Sequence, residues 1–524
     1  MSQSTAVSAA NSAGKGLNSG KVGLLSAVII GISCIAPTYT LTSGLGPTIS
    51  AAGTHVPAIL LLGFLPMLLV AFAYRELNYR IPDSGTSFTW ASVAFGPWVG
   101  WMGGWGLFIA TVLVLSNLAA VAADFFFLLV SQIAGNPGIV GLTSNLWINI
   151  PTTLLFLALA CWISYRGMQS TRWLQTVLVA IQMVALLVFS IAALVQAYHG
   201  HGFSFAPISL EWFNPFGIGD FSVVAAGISL SIFMYWGWDV TLTMNEETKD
   251  PEKTPGRAAM LTVISIILTY GLTALAIVTW AGTGETGLGA GNPDNQESIL
   301  AALSEPVLGK WSILMSIAVL SSSFASLQST MVSPARTLLS MSYYKALPQS
   351  LKKISPRFQT PSTATILSAV VSGVFYAVMR VISETALWDT IATLGLMVCF
   401  YYGITALACV WYFRRELFTS TRNVIFRFLF PLIGGLFLVG MAVVTLIDSL
   451  NPDYGSGSSI GGVGTVFIMS LVLLLGGVVV MIINYFRNPA FFRGETLPKA
   501  CSTDGPSLAE EPSTTTDTPK AALI

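Results

Sequence analysis

Charged residues are scarce in this chain of 524 residues. Asp, Glu, Lys and Arg make up 9% of the residues and hydrophobic residues 54%, whereas soluble domains carry about 25% charged residues. This composition excludes a soluble protein. The 24 basic and 24 acidic residues balance to a net charge of zero, so the net charge indicates no class of partner.

Several patterns that carry known chemistry are also missing. The sequence has no basic patch of the kind that binds nucleic acid, and no GxxxxGK[ST] phosphate loop of an ATP-driven motor. The five cysteines have no metal-ligand spacing, and four of them lie within hydrophobic runs, which argues against a disulfide framework. The three histidines are confined to loops. We therefore predict no nucleic-acid partner, no metal site, no cofactor and no enzymatic activity.

Hydrophobic runs, by contrast, recur along the whole chain. A run of about 20 apolar residues is long enough to cross the ~30 Å hydrocarbon core of a bilayer. We predict twelve membrane spans, at 22–45, 56–75, 97–130, 146–164, 173–197, 221–244, 258–281, 311–341, 362–380, 386–413, 425–447 and 461–486. The lipid bilayer is therefore the expected environment of the chain.

The distribution of Lys and Arg predicts the orientation of these spans. With the N-terminus placed in the cytoplasm, nearly every Lys and Arg falls on the cytoplasmic side, and only Lys310 and Arg380 fall on the other. This positive-inside asymmetry favours the cytoplasmic membrane, an even number of spans and two cytoplasmic termini. Residues 1–20 lack the apolar core of a signal peptide, and the chain ends in a Pro/Ser/Thr-rich stretch, so residues 1–20 and 487–524 are predicted to be disordered tails.

Two spans are interrupted by residues that do not suit a membrane helix. In the first span, Pro37 has no N–H and disfavours helix at Ala36. In the sixth span, Gly237 lets the backbone leave the helix, and Asp239 places a carboxyl group at mid-depth in the bilayer. The backbone groups freed by such a break are costly in lipid unless they line a cavity or a site.

The two breaks occupy matching positions, because the spans that carry them lie five apart. Interrupted helices in corresponding positions of two halves indicate the binding site of an inverted-repeat transporter. The alternative is that each residue only kinks its helix, since Pro and Gly are common in membrane helices. No residue-level repeat links the two halves, so the symmetry is inferred from the breaks.

Four short blocks resemble the amino acid–polyamine–organocation permeases. They are YREL at 74–77 with PDSG at 82–85 and Phe88; Phe233 with GWD at 237–239; EETKDP at 246–251 with Pro255; and Arg336 with ALP at 346–348, Pro356 and TP at 360–361. Each block is short, but the four occur in the family's order and at the expected spans. The resemblance covers about residues 20–486.

This resemblance implies a fold and a function. The implied fold is an all-α polytopic membrane protein of the leucine-transporter type, with broken helices 1 and 6. Its transporter domain would cover residues 21–486, with inverted repeats of five helices at about 22–197 and 221–413 and two peripheral helices at about 425–486. The implied function is secondary transport of amino acids or related amines by alternating access.

Two departures from the family pattern bear on the substrate and on coupling. The family usually has a Gly-Ser/Thr-Gly turn at the first break, whose N–H groups hold a substrate carboxylate, but this chain has Ala36, Pro37 and Thr38 there. In the fifth span some similar members have a lysine where this chain has Gln182, which cannot titrate. The first departure argues against the usual carboxylate site, and the second against a fixed charge in span five.

The predicted substrate site lies at the two breaks and comprises Ala36, Pro37, Thr38, Thr40, Phe233, Gly237 and Asp239. Asp239 could bind a cationic amine, carry a coupling proton or bond the broken backbone, and the alternative is that it only caps the second half of span six. By the resemblance, Phe233 is an aromatic gate over the substrate, and its ring face could also hold an ammonium group.

The coupling candidates are Asp239, Asp124, Gln182 and Ser326. Asp124 faces either an outer vestibule or the membrane interface. Ser326 belongs to a serine-rich stretch of span eight, where hydroxyls could form an ion pathway or small residues could simply permit close helix packing. A coupling proton or a counter-substrate is the expected second partner.

The gate candidates are Glu76, Arg80, Glu246, Glu247 and Lys249, which fall in neighbouring cytoplasmic loops. A solvated charge run is the plain interpretation, and the resemblance suggests an inner gate in which the 246–249 loop meets Glu76 and Arg80. The leading hypothesis is an amino acid or amine permease that is proton-coupled or exchanging. The alternatives are a polyamine or γ-aminobutyrate/organic-amine carrier, and a membrane sensor that does not transport.

Overall fold

The structure is a computed structural model that describes residues 15–17, 19–167, 172–219, 221–296, 298–382 and 386–503. Within these residues, ten stretches are long and apolar enough to cross a membrane by length and composition. The first of them, Leu24–Arg80, contains three consecutive helices, and a shorter apolar helix covers Ser222–Met234. The fold is therefore a predominantly helical one with many membrane-spanning segments.

The helices are α1 (Leu24–Ile35), α2 (Pro37–Ala52), α3 (Val56–Arg80), α4 (Ser87–Phe95), α5 (Pro97–Ala134), α6 (Leu146–Arg166), α7 (Arg172–Tyr198), α8 (Phe221–Met234), α9 (Val240–Thr243), α10 (Thr254–Ala281), α11 (Pro293–Gln296), α12 (Ile299–Leu308), α13 (Ile313–Thr330), α14 (Val332–Tyr343), α15 (Ser362–Ile382), α16 (Ala386–Tyr412), α17 (Thr421–Asn423), α18 (Phe430–Asp448), α19 (Thr465–Arg487) and α20 (Pro489–Phe492). A π-helical turn, Val424–Leu429, joins α17 to α18. A small antiparallel hairpin pairs β1 (Ser459–Ile460) with β2 (Val463–Gly464) ahead of α19.

Both predicted breaks are present. The first span divides into α1 and α2 at Ala36, and the sixth span stops at Met234 and resumes as α9 at Val240. The eighth span also divides, into α13 and α14 at Met331. Met331 keeps right-handed helical backbone angles, so that division is only a local irregularity.

The long helix α5 runs through the middle of the packed helices and contacts α4, α13, α14, α15 and α16. Small residues allow this close packing. A Cβ added at Gly103 would lie 3.2 Å from the Ser87 carbonyl oxygen, and one added at Gly106 would lie 3.1 Å from the Tyr401 Cβ. Close backbone approach through small residues is the usual way that membrane helices associate, because lipid supplies no hydrophobic drive between them.

Parts of both predicted tails are packed against the helices. Lys15 is buried, and so are Phe491, Leu497 and Cys501 in the segment that follows α19. The Ser502 N–H donates to the Tyr412 carbonyl at 3.2 Å. The packing of these residues differs from the predicted disorder, because they have specific partners on the helices. The composition of a tail cannot reveal such partners. Residues 1–14 and 504–524 of the predicted tails lie outside the described residues.

Asp389 begins the tenth span and anchors the loop before the hairpin. Its side chain is fully buried and accepts hydrogen bonds from the Ser456 N–H, the Ser456 hydroxyl and the Ser458 hydroxyl at 2.6–2.9 Å. Asp389 therefore fixes the loop that carries Ser456 and Ser458 to the start of the tenth span.

Candidate functional site

The breaks of the first and sixth spans lie in direct contact. Gly237 has a φ of 114°, a conformation that favours glycine. A Cβ added to it would lie 3.1 Å from the Cys34 carbonyl carbon and 3.2 Å from the Ile35 nitrogen. Glycine is therefore required at this position both for its backbone conformation and for the close approach of the two spans.

The backbone of the first break is unusual for its residue type. Ala36 has φ 56° and ψ 65°, the left-handed conformation that non-glycine residues rarely adopt. Pro37 follows as the first residue of α2, where a missing N–H costs no helical hydrogen bond. The Pro37 ring disfavours right-handed helix at the residue before it, which is why the helix breaks at Ala36.

Serine hydroxyls of α13 complete the hydrogen bonding of the first break. The Tyr39 N–H donates to Ser322 Oγ at 3.3 Å, and Ser326 Oγ donates to the Cys34 carbonyl at 2.8 Å. Ser329 Oγ donates to Ser33 Oγ at 3.2 Å. The three serines lie at helical spacing on one face of α13. Ser326, a predicted coupling residue, thus bonds the broken backbone directly.

One backbone donor of the first break stays free. Of the first three residues of α2, Pro37 has no N–H and the Tyr39 N–H is used by Ser322. The Thr38 N–H donates no hydrogen bond to any residue that the structure describes. The Thr38 hydroxyl faces the fifth span and approaches the Gln182 carbonyl at 3.5 Å. The break therefore offers one N–H where the family turn offers several.

Tyr270 of α10 joins the two breaks from a third direction. Its hydroxyl donates to the carbonyl of Met234, the last residue of α8, at 3.0 Å. The same hydroxyl hydrogen bonds with Thr40 Oγ1 of α2. Thr40 was predicted to contact substrate, and its hydroxyl is occupied by Tyr270 here. Sequence reasoning missed Tyr270, because nothing in the sequence marks which aromatic of α10 faces the breaks.

Two aromatic rings close over one side of the breaks. Phe233 and Tyr39 pack edge to face with ring centroids 6.5 Å apart, and both are 2% exposed. The Tyr39 hydroxyl is buried and finds no hydrogen-bond partner within the described part of the chain. Phe233 therefore packs against Tyr39 of the first span, and its role as a gate stays a prediction.

Asp239 points away from the first span, towards the tenth. Its Oδ2 accepts a hydrogen bond from the Tyr401 hydroxyl at 3.1 Å, and that hydroxyl accepts from Trp236 Nε1 at 2.6 Å. Its side chain makes no capping hydrogen bond to α9, so the simple capping interpretation does not describe it. Asp239 is 1% exposed, and among the described residues its Oδ1 has no hydrogen-bond partner. The ring of Trp238 packs nearby against Tyr402, with centroids 5.1 Å apart.

Two glutamines on one face of α7 have contrasting surroundings. Gln175 is satisfied: its Oε1 accepts from Ser33 at 2.7 Å and its Nε2 donates to the Ala325 carbonyl at 3.2 Å. Gln182, two helical turns further on, is fully buried, yet neither its Oε1 nor its Nε2 has a hydrogen-bond partner in the described regions. Buried amides are nearly always paired, so the Gln182 amide is an exception among the described residues.

A cavity lies beside Gln175 on the side of the membrane on which residues 15–22 lie, which we call the N-terminal side. It has a volume of about 180 Å³ and is lined by Lys21, Ser26, Ile30, Arg172 and Gln175, among others. Its lining combines the charged side chains of Lys21 and Arg172 with the amide of Gln175. The cavity therefore lies between α1 and α7.

A buried ion cluster closes the N-terminal side next to the sixth span. Lys15 Nζ lies 2.7 Å from Asp83 Oδ2 and 2.8 Å from Glu246 Oε1, and it donates to the Ser340 hydroxyl at 3.0 Å. Glu246 Oε1 also accepts from the Ser84 N–H at 2.8 Å. The cluster joins the tail, the loop after α3, the loop after α9 and α14.

Burial and charge act against each other on the pKa values of this cluster. Burial lowers the pKa of Lys15, but the charges of Asp83 and Glu246 outweigh it and hold that pKa above its ordinary value. Burial raises the pKa of Asp83, but Lys15, Thr89 and Tyr344 together hold it below its ordinary value. Burial and then repulsion from Asp83 raise the pKa of Glu246 in spite of Lys15. Glu246 is therefore the first of the two carboxyl groups to take up a proton.

The second predicted gate glutamate, Glu247, holds the ends of three spans together. Its carboxylate pairs with Arg336 of α14, and its carbonyl accepts from the Lys21 N–H at 2.9 Å and the Val22 N–H at 3.0 Å. The Lys249 N–H donates to the Val22 carbonyl at 3.0 Å, and the Lys249 side chain is exposed. The 246–249 loop is thus a structured link between the first, sixth and eighth spans.

Glu76 and Arg80 do not join this gate, which corrects the prediction. Glu76 pairs instead with Arg422, and with Arg427 Nε at 3.0 Å, on the segment before α18. Arg80 donates to the Ser502 carbonyl at 2.7 Å. The side chains at the end of α3 project towards the peripheral helix and the C-terminal segment, and only the three-dimensional packing determines that direction.

The last coupling candidate, Asp124, lies at the opposite side, where Asn149 Nδ2 approaches its Oδ1 at 3.4 Å.

The family model described as amino acid permease matches residues 22–480, nearly the whole helical part of the chain. The chain belongs to the amino acid permease family. Among its curated relatives, the branched-chain amino acid permease BcaP of Lactococcus lactis is 27% identical over 368 residues, 66% of this chain and 74% of that permease.

Another curated relative of this permease is the low-affinity putrescine importer PlaP of Escherichia coli. It is 26% identical over 243 residues, 46% of this chain and 50% of the importer. Among solved structures, that of MhsT in complex with L-phenylalanine is similar with a TM-score of 0.57 at 15% identity, and the match covers 82% of this chain and 100% of MhsT. At that identity the likeness establishes the fold alone.

Proposed function

We propose that this permease is a secondary transporter that binds its substrate where the first and sixth spans break and exposes it alternately to the two sides. The observation that carries the proposal is the contact between the breaks, Gly237 against Cys34 and Ile35. The buried Tyr39 hydroxyl and Gln182 amide lie on the elements that meet there and lack partners among the described residues. Broken paired helices supply such sites because their freed backbone groups can bind substrate.

The proposed architecture has twelve spans. The stretch Leu24–Arg80 would contribute two of them, with α1 and α2 forming the first and α3 the second, and α8 with α9 would form the sixth. We further propose two inverted repeats of five spans, at about 22–197 and 221–413, with α18 and α19 as peripheral helices of the transporter domain. The Lys and Arg asymmetry supports the cytoplasmic membrane with both termini in the cytoplasm.

Within the site, we propose that Ala36, Pro37 and Thr38 line one wall and Gly237 the other, with Phe233 as the gate. The Thr38 N–H can hold one oxygen of an anionic or polar group at the positive end of α2. The Gln182 amide, which can donate and accept, would bind a second polar group of the substrate. Thr40 would position Tyr270, which bonds its hydroxyl.

Asp239 is proposed to couple transport to protons or to gate the tenth span. Its Oδ2 accepts a hydrogen bond from Tyr401, and its Oδ1, which has no partner among the described residues, could take a proton or a cation. Ser326 would keep the first break aligned, and Asp124 would act at the opposite mouth. Exchange with a counter-substrate is the alternative to proton coupling, because it does not require any of these residues to take up or release a proton.

An organic-amine or polyamine substrate is the second candidate. It is favoured by the loss of backbone donors at Pro37 and Tyr39, which weakens a carboxylate site, and by the partner-free Oδ1 of the buried Asp239. A neutral α-amino acid would rely on the Thr38 N–H for its carboxylate. The two candidates therefore differ in their dependence on Asp239.

Uptake into proteoliposomes tests the proposal. The full chain is reconstituted and offered radiolabelled neutral amino acids, diamines or γ-aminobutyrate, with and without an imposed pH gradient or an internal counter-substrate. We expect saturable uptake of at least one class. Absence of uptake with every class and every driving force would contradict the transporter assignment and favour the sensor alternative.

The variant Asp239→Asn distinguishes proton coupling by Asp239 from amine binding by Asp239. If Asp239 carries the proton, the variant loses gradient-driven uptake and keeps exchange; if it binds an amine, the variant loses both. Asp294→Asn is the matched control, because Asp294 is an exposed carboxylate on the short helix α11, outside the proposed site. Uptake of neutral amino acids that is unchanged in Asp239→Asn would remove the acid from the mechanism.

A further inference from the structure

A basic pocket lies at the N-terminal-side ends of α3 and α10, beside the segment that joins α17 to α18. Its volume is about 530 Å³, and its charged lining consists of Arg75, Lys253, Arg257, Arg422, Glu76 and Glu252. Four cations face two carboxylates, which leaves a net charge of +2. None of these residues belongs to the paired breaks.

One of the two carboxylates is already neutralised. Glu76 Oε1 lies 3.2 Å from Arg75 Nη2, and Glu76 also accepts from Arg422 and from Arg427 Nε. Lys253 and Arg257 form no ion pair with any described residue, and both side chains are exposed. The pocket therefore keeps unpaired positive charge at the α10 side.

The backbone of α10 adds to this positive charge. Lys253 is the N-cap of this 28-residue helix, and no side chain caps the helix start. The positive end of the helix dipole thus coincides with the two unpaired cations. The helix start also packs on the pocket wall, since a Cβ added at Gly256 would lie 2.6 Å from Arg75 Cγ.

An apolar stripe continues from the pocket along α3. Six of the partly or largely exposed residues of α3 recur at intervals of three and four and so share one face of the helix. They are Leu61, Leu65, Leu68, Phe72, Arg75 and Tyr79. The stripe begins with apolar side chains and ends at the pocket with Arg75, whose guanidinium lies 4.9 Å from the Phe72 ring centroid.

The two helices beside α3 make walls along this stripe. Both α10 and α18 contact α3. On α10, Leu261, Ile264 and Leu268 are exposed and follow Arg257 at helical spacing, and Leu268 is 70% exposed. On the other side, Phe72 contacts Phe426 with ring centroids 5.0 Å apart. These side chains form a groove that is cationic at one end and apolar along the rest of its length.

We propose that this pocket and groove bind one anionic phospholipid. Its phosphate would be held by Arg75, Lys253 and Arg257, and its acyl chains would lie along the stripe of α3. Guanidinium groups suit phosphate because they donate two parallel hydrogen bonds, and basic pockets between membrane helices select anionic headgroups. The apolar stripe distinguishes a lipid from a soluble phosphate, which would use the cationic end alone. The bound lipid would bridge α3 and α10 to the segment before α18.

Native mass spectrometry of the full-length protein in neutral detergent tests the site. Phosphatidylglycerol and phosphatidylcholine with the same acyl chains are added in equal amounts, and retained lipid is counted. Both lipids carry a phosphate, but the choline ammonium makes phosphatidylcholine neutral overall. Each unpaired cation should therefore favour the anionic phosphatidylglycerol roughly fivefold, and the two together roughly 25-fold. This readout needs no transport, so it is independent of the proposed function.

Variants test which cations cause the preference for phosphatidylglycerol. Lys253→Gln with Arg257→Gln should reduce it to near unity, whereas Lys345→Gln with Lys353→Gln, which removes two exposed charges elsewhere on the same side, should leave it unchanged. Lys253→Arg with Arg257→Lys should retain it. Equal retention of both lipids by the wild type, or loss in the control pair, overturns the proposal. So does calorimetric binding of inorganic phosphate as tight as that of the lipid, because the ligand would then be a soluble anion.

Discussion

Lys15 and Glu246 lie 231 residues apart in the chain, and 2.8 Å separates Lys15 Nζ from Glu246 Oε1. The same ammonium group binds Asp83 at 2.7 Å, and all three side chains are buried. A tail residue is therefore the cation that holds the loops after the second and sixth spans together. We predict that the N-terminal side of the sixth span opens to water only when this cluster separates.

Lys15→Met should loosen the N-terminal side. Removing one member of a buried ion cluster costs about 3–5 kcal/mol, because the carboxylates of Asp83 and Glu246 are left uncompensated. In a background where Cys34 is the only cysteine, its labelling by an impermeant maleimide from that side should become about 100-fold faster. Lys353→Met, which removes an exposed lysine that forms no ion pair with a described residue, is the control. Equal rates in the two variants would show that Lys15 does not hold the gate.

Glu246→Gln and Asp83→Asn should change stability in opposite directions. The pKa of Glu246 is raised in the folded protein, so the protonated form is favoured and its stabilising effect is lost as the pH rises. Glutamine mimics that form, so Glu246→Gln should unfold at a higher temperature than wild type at neutral pH, and the difference should shrink on acidification.

The pKa of Asp83 is lowered, so its contribution is present at neutral pH and is lost as the pH falls through the lowered pKa. Asp83→Asn should therefore unfold at a lower temperature than wild type at neutral pH. The measurement is thermal unfolding in detergent over a pH series. Shifts of the same sign in both variants would contradict the assignment.

Gly237→Ala should abolish transport. The added methyl meets the Cys34 and Ile35 backbone at 3.1–3.2 Å, and φ of 114° is strained for alanine by about 1–3 kcal/mol. The two breaks must then separate, which we expect to reduce uptake to background and to lower the unfolding temperature. Gly271→Ala is the control, since a Cβ there meets no atom within 4 Å. Normal uptake by Gly237→Ala would mean that contact between the breaks is not needed.

Gln182→Met should stabilise the protein and impair transport. The Gln182 amide is buried without a partner among the described residues, and such a group costs about 1–3 kcal/mol, so methionine removes a penalty. Gln175→Met on the same helix face removes satisfied hydrogen bonds and should destabilise. Thermal unfolding and uptake are measured for both. Destabilisation by Gln182→Met, or full transport activity in it, would argue that the amide serves only packing.

Much of the candidate site follows from local chemistry. Pro37 disfavours regular helix in the first span, and Gly237 lets the backbone leave the helix in the sixth. Both breaks can therefore be predicted without tertiary information. Serine spacing in the eighth span likewise placed Ser322, Ser326 and Ser329 on one face. The sequence left open whether these hydroxyls form an ion pathway or whether small residues only permit close helix packing. The structure shows that Ser326 and Ser329 hydrogen bond to Cys34 and Ser33, and an ion pathway stays a prediction.

The pairings of charged residues were not predictable in the same way. Glu76 and Arg80 lie near the 246–249 loop in the family order, but their side chains turn to Arg422 and to the Ser502 carbonyl. Lys15 lies in a tail whose composition predicts disorder, yet it is the partner of Glu246. Asp239 turns to Tyr401 and away from the first span. In each case the direction of a side chain depends on which helices pack beside it.

The sequence by itself determined the membrane environment, the family and the positions of the two helix breaks. These depend on composition, on short motifs and on the backbone chemistry of single residues, all of which act locally along the chain. Only the tertiary structure decided which buried groups find partners, and which do not. That is a property of contacts between distant segments, such as Lys15 with Glu246 and Tyr270 with Met234. The partner-free Gln182 amide and the cationic pocket at Arg257 are consequences of packing that no local pattern encodes.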